Sequence, residues 1–199
     1  MRVIALGLAA IPLAFLLAHH SAAPAQPIGH TDLRLSSIAT ELAQRPVQIH
    51  CRPNLGRLVS RTGESGSVGF DTRGRPADFA EVADGICSTL HAYSRATHAG
   101  DHCLLPCQTV PFDVAWSMNT LAHESYHLAG IRNEAQTQCY ATQAVDFVAR
   151  RLGASPDQAR ALALLAATRI LASMPPEYSS PKCRDGGPYD LHPFSSDWP

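Results

Sequence analysis

The spacing of apolar residues along the chain predicts a mainly helical protein. In residues 31–45 the apolar positions recur at the three- and four-residue intervals of an amphipathic helix. Thr31 or Asp32 can cap the start of this helix, and Pro46 ends it. The apolar positions of this helix are Leu35, Ile38, Ala39 and Leu42.

The same periodicity predicts two helices in the middle of the chain. One spans residues 82–96 and is weakened by Gly85, because glycine loses more backbone freedom in a helix than other residues do. The other spans 113–129, with Asp113 as its N-cap. Gly130 then suits the left-handed position that commonly follows a helix end.

Two further helices are predicted from their capping residues. Asn133 can cap a helix that runs to Leu152, just before Gly153. Residues 155–158, "SPDQ", place serine at the N-cap, proline at the first helical position and glutamine at the third, which is a capping box. The helix that they start stops at the two prolines that begin with Pro175.

Strands are short and few in this pattern. Residues 46–51, "PVQIHC", alternate and carry β-branched residues, so they predict a strand. The glycine-rich residues 63–76 predict a hairpin or exposed loop with a short strand near 68–70, and the two prolines of 98–111 predict a loop.

These elements predict an α+β protein, a mainly helical single domain with a small β-sheet over residues 26–199. The domain ends in an irregular, proline-rich tail over 175–199.

Residues 1–25 have a different character and predict a secretory signal peptide. Arg2 gives a minimal positive start, residues 3–18 are apolar, and Ala23-Pro24-Ala25 suits cleavage before Gln26. The apolar run is shorter than a membrane span requires. The alternative is an uncleaved N-terminal anchor, and only then would the protein contact a membrane. A secreted or cell-envelope protein is expected.

The overall composition favours a domain with a packed core. Of the 199 residues, 45% are hydrophobic and only 17% are charged, so a core can form and wholesale disorder is not expected. The formal net charge of −1 argues against nucleic acid as a partner, since such proteins carry a basic face.

The six cysteines all follow the expected cleavage site, and export favours disulfides. Cys103 and Cys107 could close a small local loop, and Cys183 is expected to tie the tail to the body. A second metal site made by residues 98–107, with His98 and His102 beside the two cysteines, is the alternative. The disulfide candidates are Cys51, Cys87, Cys103, Cys107, Cys139 and Cys183.

Residues 123–127, "HESYH", contain the candidate metal ligands and a candidate general base. His123 and His127 are a little over one helical turn apart, so both imidazoles project from one face and can bind one ion. Zinc suits neutral imidazole nitrogen. Glu124 is rotated by about 100° from His123, too far to share the ligation comfortably, but it can reach a water on the metal.

A third ligand must come from another part of the chain, and Glu134 is the candidate. Gly130 would end the helix, and the side chain of Glu134, in the first turn of the next helix, could then point back towards the histidines. The alternative is that Glu134 only complements a helix N-terminus. With three protein ligands the fourth position stays open, as in catalytic sites. The reserve ligands are Asp146, Glu177 and His192.

On these residues the chain resembles the zincin metallopeptidases. The resemblance covers mainly residues 113–141, and "HESYH" followed by Glu134 looks like the glutamate-liganded branch. "HESYHLAGIRN" is also similar to the start of the metzincin pattern, although Asn133 stands where that pattern has histidine or aspartate, and Met174 resembles a Met-turn faintly. The longer string after a signal peptide is similar to exported bacterial proteins with a zincin-like core.

The resemblance implies a zincin-like core around the helix 113–129 and a peptide or protein substrate. Zinc on His123, His127 and Glu134 would lower the pKa of its water towards ~7, and Glu124 would take the proton. Gln138 could orient the Glu134 carboxylate or face solvent.

Two phenols, Tyr126 and Tyr178, are available near this motif, although packing is the more common role for tyrosine. The functional alternative to a peptidase is a non-catalytic zinc-binding or disulfide-stabilised module of the cell envelope.

Overall fold

A computed structural model describes residues 29–53, 65–98, 111–195 and 198–199. It is an α+β fold in which helices pack against a small sheet. The strands are β1 (His30–Asp32), β2 (Gln48–Arg52), β3 (Gly66–Phe70) and β4 (Pro76–Ala83). The helices are α1 (Leu33–Ala43), α2 (Asp84–His98), α3 (Pro111–Leu128), α4 (Glu134–Gln143), α5 (Val145–Arg151) and α6 (Pro156–Leu165), and a π-helical turn (Ala166–Leu171) and a 3-10 turn (Pro176–Tyr178) follow.

The four strands form a mixed sheet in the order β1-β2-β4-β3. β2 and β4 are parallel, with Ile49 opposite Ala80, and the outer strands are antiparallel to them. The strand β4 was not predicted. Val82 was placed at the start of a helix, but it is buried in β4 and the helix begins two residues later, at Asp84.

The first helix follows its predicted pattern. Asp32 is the N-cap, and its Oδ1 accepts a hydrogen bond of 2.9 Å from the backbone N–H of Leu35. Leu35, Ile38 and Ala39 are buried in the core, which also contains residues of β2 and β4. The helix ends at Ala43, and the next residue, Gln44, adopts a left-handed conformation.

Helix α3 runs through the centre of the protein and contacts α1, α2, α4 and the sheet. Met118, Leu121 and Ala122 on it are fully buried. The helix starts at Pro111, two residues before the predicted start, and ends at Leu128. Gly130 has a φ of 96°, as predicted for the residue after the helix end.

The capping residues of the later helices are confirmed, but one predicted helix is divided. Asn133 caps α4, and Ser155 forms a capping box with Gln158 at the start of α6. A single helix to Leu152 was wrong, because the backbone at Ala144, with φ −81° and ψ −2°, separates α4 from α5.

Two disulfides link the described residues. Cys51–Cys87 joins β2 to α2, and Cys139–Cys183 joins α4 to the tail, which confirms that Cys183 ties the tail to the body. Such bonds are characteristic of oxidising, extracytoplasmic compartments. No helix among the described residues is long and apolar enough to span a bilayer.

The predicted signal peptide over 1–25, the Cys103–Cys107 loop and the alternative metal site at 98–107 all depend on residues or side chains outside the described part of the chain.

Candidate metal centre

Helix α3 brings His123 and His127 together inside the protein. Their rings are buried and their centroids are 4.6 Å apart. The two Nε2 atoms face each other at 2.9 Å. The four-residue spacing on one helical face, which predicted the pair, produces this contact.

The turn after α3 returns the chain so that Glu134 meets both rings. Gly130 supplies the left-handed residue, and its N–H bonds to the carbonyl of His127 at 2.9 Å. Asn133 then caps α4, whose first residue is Glu134. The Glu134 Oε2 atom lies 3.1 Å from Nε2 of His123 and 3.3 Å from Nε2 of His127. Three predicted ligand atoms therefore converge.

The other nitrogen of each ring is held by an acceptor. Nδ1 of His127 donates to the backbone carbonyl of Ile131 at 2.7 Å, and Nδ1 of His123 lies 3.1 Å from Oε1 of Gln138. A carbonyl oxygen can only accept, so each Nδ1 carries the hydrogen. In the neutral rings both Nε2 atoms therefore present lone pairs to each other.

This arrangement fits a divalent cation. Two imidazole lone pairs and a carboxylate oxygen repel one another at these distances unless a positive charge lies between them. Two imidazoles and a carboxylate form a common ligand set of catalytic zinc. The three separations of 2.9, 3.1 and 3.3 Å are close to the roughly 3.3 Å between neighbouring ligand atoms on tetrahedral zinc with bonds of about 2.0–2.1 Å.

Gln138 neither orients the Glu134 carboxylate nor faces solvent, which were the two predicted positions. It is buried and contacts His123, not the Glu134 carboxylate. Its Nε2 donates to Oδ1 of Asn119 at 2.9 Å, which fixes the amide with its oxygen towards the ring. Thr142 completes the network by donating to the Gln138 backbone carbonyl. Such outer contacts orient a metal-binding ring and set its tautomer.

The electrostatics favour the metal-binding forms of His127 and Glu134. Burial, and then the neighbouring charge of His123, lower the pKa of His127. When the rings are protonated, Nε2 of His123 donates a hydrogen bond to Glu134, which is the main cause that lowers the pKa of Glu134. The charge of His127 adds to this effect, although burial opposes them. A neutral ring and an ionised carboxylate are the ligand forms.

Glu124 is buried beside these ligands under the edge of the sheet. It is 5% exposed, and β3 passes directly over it at Gly66. A Cβ atom at position 66 would lie 2.6 Å from both Cγ and Oε1 of Glu124, far inside van der Waals contact. The missing side chain of Gly66 therefore allows the strand to lie against the carboxylate.

Glu124 and His123 share the wall of a cavity of about 410 Å³. Trp116 and Tyr178 also line this cavity, and the Tyr178 ring is 5.8 Å from that of His123. Tyr126 is elsewhere, packed edge-on against Tyr140, with its pKa raised to about 12 by burial. Larger and more open depressions lie around Arg45 and do not include the metal-ligand group.

A second group of potential ligands does not form a usable site. His30, Asp32 and Cys51 lie close together, but the Cys51 sulfur is bonded to Cys87. Asp32 is also occupied, since it caps α1 and pairs with His91.

The reserve ligands take no part in the group formed by His123, His127 and Glu134. Asp146 instead pairs with Arg150 on α5, while Glu177 and His192 are exposed on the tail.

Three residues of the site were missed in the sequence. Trp116 and Asn119 lie seven and four residues before His123, so helical spacing on α3 could have placed them on its face. Gly66 had no such signal, because it reaches Glu124 only through the packing of β3 on α3.

No family model matches the chain, and comparisons with curated proteins and with solved structures found no significant match.

Proposed function

We propose that this protein is an exported, zinc-dependent hydrolase of peptide bonds. The observation that supports it most is the convergence of His123, His127 and Glu134, with both rings held as Nδ1–H tautomers. Such a set leaves a coordination position for water, as in catalytic zinc sites. Glu124 adds a buried carboxylate in the same cavity wall as His123.

The proposed chemistry divides between the ion and the chain. Zinc held by the three ligands would supply an acidified water and polarise the carbonyl oxygen of a bound peptide. Glu124 accepts the proton of that water as the oxygen attacks the carbonyl carbon, and then donates it to the amine that leaves. The proton that the water loses is thus the one that the amine gains.

The remaining residues keep this geometry in place. Gln138 and the Ile131 carbonyl fix the two rings, so little reorganisation is needed when the metal binds. The close backbone of Gly66 restricts the positions open to Glu124, which keeps the base on the cavity side.

The test separates metal binding from proton transfer. Glu124→Gln should bind one zinc per chain with the parent affinity but lose at least about 100-fold in turnover on a mixed peptide pool, because the amide cannot take a proton. His123→Ala should lose the zinc itself. Glu41→Gln, a substitution of an acid that is paired with Arg151 and does not line the cavity, is the matched control and should retain both properties.

The outcomes distinguish the two functional classes. Turnover that survives in Glu124→Gln would refute the role of this base. A parent protein that binds zinc tightly, melts at a lower temperature after chelation and cleaves nothing would instead be the non-catalytic zinc-binding module.

A further inference from the structure

The cavity beside the metal-ligand group extends along α3 away from the ligands. Trp116 and His123 both line it and are seven residues apart on that helix, which separates them by about 10 Å along the axis. A volume of about 410 Å³ falls within the range of small-molecule sites. The space is large enough for one bulky side chain and its peptide group.

Much of the cavity wall is apolar. Trp116 forms one wall and is stacked on Phe112, with ring centroids 6.1 Å apart. Met174, Pro175 and Tyr178 also line the cavity and lie at or just before the start of the tail. Aromatic and sulfur-containing walls favour aromatic and large aliphatic groups, which they bind through apolar contact.

The charges in the cavity wall disfavour an acidic side chain. Among the described residues that line it, the one with a formal negative charge is Glu124, and none is lysine or arginine. An acidic side chain placed there would leave water without gaining a lysine or arginine partner and would lie near this carboxylate, which disfavours it.

We infer that this cavity is a selectivity pocket for an aromatic or large aliphatic side chain next to the scissile bond. This inference rests on the proposed function, because the metal centre positions the peptide group from which that side chain projects. The reacting groups lie at His123 and Glu124, and the side chain is received against Trp116 and Met174.

Hydroxamates test the pocket without turnover. They chelate zinc through two oxygens, so the group attached to them is presented to the neighbouring cavity. The affinities of acetohydroxamate, phenylacetohydroxamate and succinic monohydroxamate would be measured by calorimetry on the zinc-loaded full chain. Phenylacetohydroxamate should bind on the order of 10- to 100-fold more tightly than acetohydroxamate, since its ring leaves water for the pocket. The succinic compound should bind more weakly than acetohydroxamate.

Variants locate this preference within the protein. Trp116→Ala and Met174→Ala should each reduce the phenyl preference at least about threefold and leave acetohydroxamate binding unchanged. Phe147→Ala is the matched control, since Phe147 is a half-buried aromatic residue of α5 under Arg151, outside the cavity. Trp116→Phe keeps an aromatic wall and should retain most of the preference. It supplies a second measurement at this position if the alanine variant folds poorly.

The outcomes separate the two proposals. A protein that does not bind zinc overturns the proposed function, and the pocket inference falls with it. A protein that binds zinc and acetohydroxamate but shows no phenyl preference overturns the pocket inference alone. A preference that persists in both wall variants also overturns it.

Discussion

The backbone of Gly66 on β3 lies against the side chain of Glu124 on α3, with no room for a methyl group between them. The contact joins the edge strand of the sheet to the proposed base. Both elements are needed to fix the carboxylate, because the helix alone determines only where its Cα lies.

Gly66→Ala should therefore displace Glu124. We expect a loss of about 1–3 kcal/mol in the free energy of unfolding, typical of overpacking, and roughly a 10- to 100-fold loss of turnover with zinc affinity unchanged. Gly69→Ala on the same strand is the control, since a Cβ there meets nothing within 4 Å. Urea unfolding, zinc titration and peptide cleavage measure the three quantities.

A double-mutant cycle tests the same contact independently of any activity. In a Glu124→Ala background the substitution Gly66→Ala should cost less than about 0.5 kcal/mol, because the atoms that it would meet are absent. An equal cost in both backgrounds would show that the strain at position 66 has another origin.

Gln138→Ala should weaken zinc binding by about 10- to 100-fold, because the His123 ring loses the acceptor that orients it. Competition with a chromogenic chelator measures the affinity. Gln136→Ala on the same helix is the control, since that side chain bonds to the Tyr140 hydroxyl and not to a ligand. Equal affinities in the two variants would contradict the positioning role of Gln138.

The metal-free protein should become less stable as the pH is lowered. The pKa of His127 is lowered from 6.5, chiefly by burial, and that of Glu134 is lowered from 4.5, chiefly by its hydrogen bond with His123. In each case the unfolded chain binds more protons, so stability falls below pH 6.5 through His127 and below pH 4.5 through Glu134.

Urea unfolding with a chelator at several pH values between 8 and 4 measures this dependence. His127→Gln should reduce the slope between pH 7 and 5, whereas His192→Gln, at an exposed position of the tail, serves as its control. An unchanged slope in His127→Gln would exclude the buried ring as its source.

Removal of either disulfide should destabilise the protein by a similar amount, but only one removal should alter the cavity. The loops closed by Cys51–Cys87 and Cys139–Cys183 have sequence separations of 36 and 44, and closure entropy predicts about 4 kcal/mol for each. Both cysteines of one bond or of the other would be replaced by serine, and urea unfolding would measure the loss in the free energy of unfolding of each variant.

The tail bond holds the segment that carries Met174 and Tyr178. Its loss should therefore reduce the phenyl preference of hydroxamate binding, whereas loss of the other bond should leave that preference in place. If the two pairs of serine substitutions changed the phenyl preference equally, the tail bond would have no specific role in forming the cavity.

Local interactions made much of the fold predictable. Asp32, Asn133 and Ser155 cap helices through contacts within three residues, and Gly130 ends α3, so each could be assigned from its own neighbourhood. β4 could not be assigned in this way. Its alanines have weak strand propensity, and its pairing with β2 in parallel depends on residues about thirty positions apart.

The same division applies to the site. His123 and His127 follow from helical spacing, and Glu134 from the short turn after Gly130. The wall formed by Tyr178 and the close approach of Gly66 depend on tertiary packing, which no local pattern encodes.

The Cys139–Cys183 bond links the residue next to Gln138 with the tail that completes the cavity. Both sides of the proposed centre are thus braced by one covalent link that forms only under oxidising conditions. A chain still in a reducing cytoplasm would lack this brace and would have an incomplete pocket. The proposed hydrolysis would then begin only once this bond has formed, which would protect other proteins that share a reducing compartment with the chain.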